Sequence, residues 1–224
     1  MIYLLRTKNV FTTKYYYDFL KHTFTIKYGN VCEVEKLNNI RKVHKSDIVI
    51  VGGIAFGIKA MLKGFKRIII WFQGVAPEER KYTGSGFIKV SILSICEKIL
   101  LKKSLLNIFV SNTQKEHYEK KYKIDFSNKH TFIMPCFNEN TTVKIKEKRN
   151  EIIFGYVGGL AKWQCFNETV QLYKHISNRL KHPTKLIVLT HDPQNAKKRL
   201  IDLKMSDCEC RFVEQKDLSK ALLN

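Results

Sequence analysis

The sequence predicts an α/β fold with two parallel-sheet domains, because short apolar runs alternate with segments of helical periodicity. The runs at 47–53 and 152–157 have the length and the nearly continuous apolar character of strands that are covered on both faces. After each run, apolar residues recur every three or four positions, as on one side of a helix. A polar, charged stretch at 139–150 separates two such series, so we expect domains at 1–138 and 151–224 joined by a linker.

The elements follow in order from the same patterns. In the first domain, runs of strand character lie at 2–5, 47–53, 66–72, 106–110 and 131–138. Helical spacing occupies 11–22, 55–62, 85–103 and 113–123, where Thr113 and Glu116 form a capping-box pattern. In the second domain we expect strands at 152–157, 185–190 and 208–213, and helices that begin at Phe166, near Gln194 and near Asp217. Strand, helix and strand in this spacing form right-handed parallel crossovers, which collect ligands at the carboxyl ends of the strands.

The most apolar segment, 85–103, is interrupted by Lys89, Glu97 and Lys98. It therefore falls short of the ~20 apolar residues that span a bilayer, and a buried or interfacial helix is expected instead. Basic residues flank it on both sides: Arg80, Lys81, Lys102 and Lys103. Two interpretations stay open, packing on the sheet and contact with an anionic membrane surface.

Charge is the unusual property of the composition. The 224 residues include 40 Lys and Arg against 20 Asp and Glu, a formal charge of +20. Such a surface attracts phosphates, nucleic acids or anionic lipid headgroups, although a bias toward Lys, Asn and Ile in the gene gives the same charge. Zinc-finger spacing, an RNA-binding aromatic signature and a clustered basic tail are all missing, so we do not expect nucleic acid as a partner.

Cysteine and histidine usage does not favour a metal site. The 6 cysteines include no C-x-x-C pair and suggest no disulfide framework, and the 7 histidines are scattered. Reduced thiols of a cytoplasmic protein are expected. The first residues lack the long apolar run and the cleavage site of a signal peptide.

The segment 151–176 carries the clearest chemical motif. An apolar strand ends at Gly158 and Gly159, and a helical pattern follows from Phe166. Glycines let backbone N–H groups approach a ligand, and the N-terminus of the next helix favours an anion. Lys162 adds a positive charge and Gln164 a polar side chain. The motif suits a diphosphate, although a tight turn without a ligand would have the same glycines.

The motif Val157-Gly158-Gly159-Leu160, followed by Lys162 and Gln164, resembles the start of the second domain in retaining glycosyltransferases with two Rossmann-like halves, the GT-B fold. The resemblance is less specific at 66–80 and 131–138. It implies that Gly158, Gly159, Lys162 and Gln164 bind the diphosphate of a nucleotide-sugar donor, with no cofactor and no metal. The chain departs from the family where Gly159 replaces the usual arginine.

The same resemblance implies an acceptor side in the first domain. Residues at the ends of its strands would line the cleft there: Gly53, Gln73, Gly74, Ser111 and Asn112. Gln73 stands where the family often has a histidine, and its amide can position a hydroxyl group but cannot act as acid or base. No catalytic residue is assigned. The implied reaction transfers a sugar to a hydroxyl acceptor for a surface polysaccharide or lipid-linked glycan, in the cytoplasm or on the inner face of the membrane.

The family's second domain is longer than 151–224, and its paired glutamates would lie beyond residue 224. We therefore expect a truncated product or one piece of a split enzyme, inactive by itself unless a second chain supplies the remaining half. Two alternatives stay open. One is a non-catalytic basic protein that binds an anionic membrane or another polyanion. The other is a nucleotide-sugar epimerase built from two similar halves.

Overall fold

The computed structural model describes residues 1–6, 13–135, 150–205, 208–214, 217–218 and 221. They belong to two compact units, Met1–Glu139 and Asn140–Asn224. Nearly all of the predicted linker at 139–150 lies outside the described residues, as do Cys136 and the residues that follow it in the predicted strand 131–138. Only the beginning of the helix expected near Asp217 is described.

The first unit contains a sheet of six parallel strands in the order β2-β1-β3-β4-β5-β6. The strands are β1 (Ile2–Leu5), β2 (Val31–Val34), β3 (Ile48–Gly52), β4 (Arg67–Phe72), β5 (Leu106–Phe109) and β6 (Thr131–Ile133). In register, Ile2 is opposite both Val31 and Ile48. The chain thus leaves β1 toward one edge of the sheet and then builds from β3 toward the other. A doubly wound sheet of this order places its ligand crevice between the carboxyl ends of β1 and β3.

Helices cover both faces of this sheet, as right-handed crossovers in opposite directions require. They are α1 (Lys14–Tyr28), α2 (Ile54–Leu62), α3 (Ala76–Tyr82), α4 (Phe87–Lys103) and α5 (Asn112–Tyr122). On one face, Tyr16 of α1 packs against Trp71, with ring centroids 4.7 Å apart. On the opposite face, Leu100 of α4 and Tyr118 of α5 are fully buried in a core with Phe72.

The second unit contains three parallel strands in the order β7-β8-β9: β7 (Ile152–Val157), β8 (Thr184–Leu189) and β9 (Glu209–Arg211). The helices α6 (Phe166–Ser177) and α7 (Pro193–Asp202) pack on the same face, because both crossovers run in one direction. Phe166, Val170 and Leu200 form the core of this layer. On the other face Glu209 pairs with Lys185 at 2.8 Å.

The predicted fold class is confirmed, since both sheets are parallel and alternate with helices. Two elements were missing from the prediction, the edge strand β2 and the short helix α3. The predicted capping box at Thr113 is wrong. α5 begins one residue earlier, with Ser111 as its N-cap, and the Ser111 side chain accepts a hydrogen bond from the Gln114 N–H at 3.1 Å. The sequence Ser111-x-x-Gln114 has the capping-box pattern in a different frame, but Gln114 Oε1 accepts from the Val110 N–H at 2.9 Å, one residue before the N-cap.

Candidate functional site

A side chain of strand β7 is hydrogen-bonded to the loop between β7 and α6. The Tyr156 hydroxyl donates a hydrogen bond to the Gly159 carbonyl at 2.5 Å and lies 3.4 Å from the Gln164 carbonyl. The Gly158 N–H continues the pairing of the strands by donating to the Leu189 carbonyl at 3.0 Å. Burial is the main reason that the pKa of Tyr156 is raised, so the phenol keeps its proton for this hydrogen bond. The predicted glycines therefore belong to a loop of defined shape.

Gly159 lies under two side chains. A Cβ atom at this position would stand 2.6 Å from Gln164 Oε1 and 3.0 Å from His191 Cε1. Both neighbours are ends of side chains, so a larger residue would displace them and leave the backbone in place. A larger side chain at position 159 would therefore occupy the space that Gln164 takes in this chain. Gln164 and Gly158 are also close, since a Cβ on Gly158 would lie 3.7 Å from Gln164 Nε2.

Lys162 and Gln164 are the ends of a single 3-10 turn, and both are exposed. Cys165 follows in the left-handed conformation at φ 52° and is the N-cap of α6. It makes no capping hydrogen bond through its side chain, so that side chain satisfies none of the first N–H groups of α6. The Gly159 amide, a lysine and the start of a helix thus lie within one short loop, and these are groups that attract an anion. The predicted donor Gly158 differs, because its N–H is already donated to the Leu189 carbonyl.

Two residues from outside the loop contribute to the same edge of the sheet, and neither was predicted. His191 follows β8 and is exposed beside Gly159. Arg199 of α7 donates a hydrogen bond to the Leu160 carbonyl at 3.0 Å and so ties the loop to the next helix. His191 directly follows the carboxyl end of a predicted strand. Its position in the sequence could therefore have identified it as a candidate site residue.

The first unit has a second polar edge at the carboxyl ends of β3 and β4. A Cβ on Gly52 would lie 2.5 Å from the Tyr17 hydroxyl and 2.8 Å from Gln73 Nε2. The Tyr17 hydroxyl and the Gln73 amide group therefore both lie against Gly52. Burial raises the pKa of Tyr17, and the nearby charge of Arg6 opposes this shift. Because residue 52 is a glycine, helix α1 can approach strand β3 this closely.

The other predicted acceptor residues are distributed along the same edge. Gly53 has φ +84° with open space above it, and it begins α2. The Glu79 carboxylate lies where a side chain on Gly74 would be. The hydroxyl of Ser111 is engaged in capping α5, whereas Asn112 is exposed. Gln73 and Ser111 follow neighbouring strands, but the structure gives no direct contact between their side chains.

Beneath Gly74 lies a buried polar network that the sequence did not predict. Glu97 of α4 is fully buried, and three side chains of α5 contact its oxygens: Tyr118 at 3.1 Å, Lys121 at 3.2 Å and Tyr122 at 2.6 Å. The Tyr118 hydroxyl also lies 3.1 Å from the Gly74 carbonyl. Burial raises the pKa of Glu97 against the opposing effect of these donors. When Glu97 is protonated, it can donate to Tyr118, which then donates to Gly74.

Among the described residues, no group of three His, Cys, Asp or Glu side chains could hold a metal ion. No helix in the part of the chain that the structure describes is long and apolar enough to cross a membrane.

Comparison with models of protein families gives no match for this sequence. Curated proteins give no match either. Among solved structures, the crystal structure of TarM, a glycosyltransferase, is similar with a TM-score of 0.52 and 13% sequence identity. The match covers 81% of this chain and 35% of the TarM chain. At this identity the likeness concerns the fold alone, and it supports the predicted GT-B-like arrangement of Rossmann-like parallel sheets.

Proposed function

We propose that this chain is of the glycosyltransferase type and binds a nucleotide-diphosphate sugar through the loop between β7 and α6. The observation that carries the proposal is the composition of that loop, where Gly158, Gly159 and Lys162 precede the start of α6, whose N-cap residue makes no capping hydrogen bond through its side chain. The fold, which is similar to that of a glycosyltransferase, supports it. The reaction would transfer the sugar to a hydroxyl acceptor of a surface polysaccharide or lipid-linked glycan.

The loop would act on the leaving diphosphate. Its bond to the sugar breaks with negative charge developing on the phosphate oxygens, and fixed N–H groups and a lysine stabilise that charge. Lys162 would supply the formal charge and the Gly159 amide a hydrogen bond, whereas Gly158, whose N–H is donated to the Leu189 carbonyl, would let the diphosphate approach the backbone closely. The exposed imidazole of His191 lies beside Gly159 and would face the same ligand.

The first unit would bind the acceptor at the edge formed by Gly53, Gln73 and Gly74. The Gln73 amide, which lies with the Tyr17 hydroxyl beside Gly52, can donate to or accept from a sugar hydroxyl. Ser111 and Asn112 would extend this surface after the neighbouring strand. We place the reaction in the cytoplasm, because a charged nucleotide sugar does not cross a bilayer unaided.

Isothermal titration of the purified chain with UDP and GDP tests the donor site. At about 150 mM salt, where charges further apart than about 8 Å are screened, we expect saturable binding of one of the two nucleotides. Lys162→Ala should weaken that binding about tenfold, which corresponds to about 1.4 kcal/mol.

Lys181→Ala is the matched control, since Lys181 is an exposed lysine of the same unit outside the loop. Its affinity should equal that of the unaltered chain. Equal weakening by both substitutions would identify a general attraction of the basic protein for phosphate. Complete absence of binding to either nucleotide would remove the donor site and leave the fold assignment standing.

A further inference from the structure

Helix α4 is apolar on two opposite faces, and the fold covers only one of them. Glu97, Leu100 and Leu101 are buried toward the sheet. On the outer side, four isoleucines are exposed by 75, 56, 60 and 36%: Ile88, Ile92, Ile95 and Ile99. We call these four residues the isoleucine stripe. A surface helix normally turns polar residues to water on this side, so the stripe needs an explanation.

The isoleucines are aligned along the helix. At about 100° per residue they lie within about 60° of its circumference, and the 17-residue helix is about 25 Å long. Phe87, exposed by 85%, extends the apolar surface at the N-terminal end. The stripe is therefore a continuous apolar ridge, unlike the isolated apolar residues that most protein surfaces carry.

Lysines border the stripe on both sides. By the same helical geometry, Lys98 and Lys102 lie on one flank and Lys89 and Lys103 on the other, and all four are exposed. The ion pairs found among the described residues involve none of these four lysines. Lys129 adds a charge at the C-terminal end, where its ammonium group donates to the Lys102 carbonyl. The only acidic residue of α4 is Glu97, which faces inward.

We propose that the outer face of α4 docks on the surface of an anionic lipid bilayer, with the isoleucine stripe in the acyl boundary and the lysines at the headgroups. The helix would lie in the plane of the interface, because lysine stems reach outward from an apolar ridge to charged phosphates. The net charge of +20 attracts the whole chain to such a surface. A second copy of the chain fits less well, since pairing two stripes would bring rows of lysine together.

This inference is independent of the proposed donor site, because it uses only residues of the first unit. Sedimentation with vesicles tests it, using phosphatidylcholine alone and phosphatidylcholine with about one third phosphatidylglycerol. We expect the chain to bind the anionic vesicles and to bind neutral vesicles at least about tenfold more weakly. Changing the four isoleucines to Gln should reduce binding to the anionic vesicles about tenfold or more.

Two matched controls separate the stripe from general properties of the surface. One variant changes four exposed apolar residues elsewhere to Gln: Ile26, Leu62, Leu172 and Ile201. The second comparison uses two lysine variants. One changes the four lysines of α4 to Gln: Lys89, Lys98, Lys102 and Lys103. The other changes four exposed lysines elsewhere to Gln: Lys45, Lys66, Lys197 and Lys198. Only the substitutions on α4 should weaken binding. Circular dichroism checks that every variant is folded.

Several results would overturn the proposal. The unaltered chain could fail to bind anionic vesicles, or the two lysine variants could lose binding equally, which would indicate general charge attraction. Binding by the isoleucine variant at the level of the unaltered chain would also exclude the stripe. If sedimentation velocity instead shows a dimer that the isoleucine variant dissociates, without vesicle binding, the stripe is a self-association surface.

Discussion

In each unit a buried tyrosine hydroxyl contacts the carbonyl group of a glycine in a loop. The two pairs differ in how many residues separate the tyrosine from the glycine. Tyr156 donates to the Gly159 carbonyl three residues away. The Tyr118 hydroxyl contacts the Gly74 carbonyl, 44 residues distant. The second-unit loop is thus shaped mainly by its own sequence. The first-unit loop depends on α4 and α5 being packed beneath it, and on the buried Glu97 between them.

The two loops therefore differ in how much of the fold must form before each hydrogen bond can form. A local hydrogen bond forms whenever the strand and its turn are in place, and its loss affects a small region. A hydrogen bond between distant elements forms only with the tertiary fold, so its loss reaches the packing of two helices. Substitutions beneath the first loop should therefore cost more free energy of unfolding than matched substitutions beneath the second.

The largest effect is expected from removing the Glu97 carboxyl. Glu97→Ala should lower the free energy of unfolding of the first unit by about 3 kcal/mol, since it leaves a cavity and deprives Tyr118, Tyr122 and Lys121 of an acceptor. Glu97→Gln should cost less than about 1 kcal/mol, because its amide can donate to Tyr118 as the protonated acid does.

The two units can be observed separately, since the chain has 2 tryptophans, Trp71 in the first unit and Trp163 in the second. In a Trp163→Phe background, urea unfolding followed by fluorescence reports on the first unit. An equal loss of stability in Glu97→Gln and Glu97→Ala would show that the carboxyl acts through its charge, against our interpretation of the network.

An intermediate effect is expected from deleting each tyrosine hydroxyl. Tyr118→Phe should cost the first unit about 1–2 kcal/mol, because its contact with Glu97 is buried and its contact with the Gly74 carbonyl is partly buried. Tyr156→Phe should cost the second unit about 0.5–1 kcal/mol, since the freed glycine carbonyl lies in an accessible loop. Trp163 fluorescence follows the second substitution. A larger cost for Tyr156→Phe would reverse the comparison between the loops.

The smallest effect is a pH dependence of the first unit, where two buried carboxyl groups act in opposite directions. Burial raises the pKa of Glu97 above its unfolded value of about 4.3, so its contribution is full below that pH and is lost as pH rises through the folded pKa. Burial also opposes ionisation of Asp47, but hydrogen bonds from the N-terminal ammonium and the His44 N–H outweigh it and lower the pKa. The Asp47 contribution is present above about pH 3.9 and is lost on acidification.

Urea midpoints measured from about pH 3 to about pH 8 should therefore fall on both sides of a maximum for the first unit. Glu97→Gln should flatten the alkaline side, and Asp47→Asn the acidic side. In the second unit, Thr190 is the only buried polar residue among those described, so its profile should be shallower. Identical profiles for the two units would contradict these assignments.

The sequence was a good guide where the information is local. β3, β4 and β8 are nearly continuous apolar runs, and the glycines after β7 mark their own loop. The strand β2 was missed because it is an edge strand whose Cys32 and Glu33 are exposed, so it lacks a buried pattern. Helix α3 was missed because four consecutive charged residues follow Pro77 and conceal its short buried side.

The contacts around the candidate sites could not be predicted in the same way. Tyr17 meets Gly52, and His191 meets Gly159, only because sheet order and crossover handedness bring separate elements together. The isoleucine stripe also could not be predicted from the sequence. The sequence indicates a largely apolar helix at 85–103, but only the packed fold shows which of its faces the sheet covers.

The order of strands in the first sheet has a consequence for synthesis on the ribosome. β1 is made first, yet it lies inside the sheet, between β2 and a β3 that begins at Ile48. At about 5–20 residues per second, several seconds pass before β3 has been translated. During that interval the apolar β1 and the aromatic face of α1 lack their partners and are open to nascent-chain binding factors. Slower translation across residues 6–52 would lengthen this exposure, whereas the later strands β4 to β6 would each join a sheet that already exists.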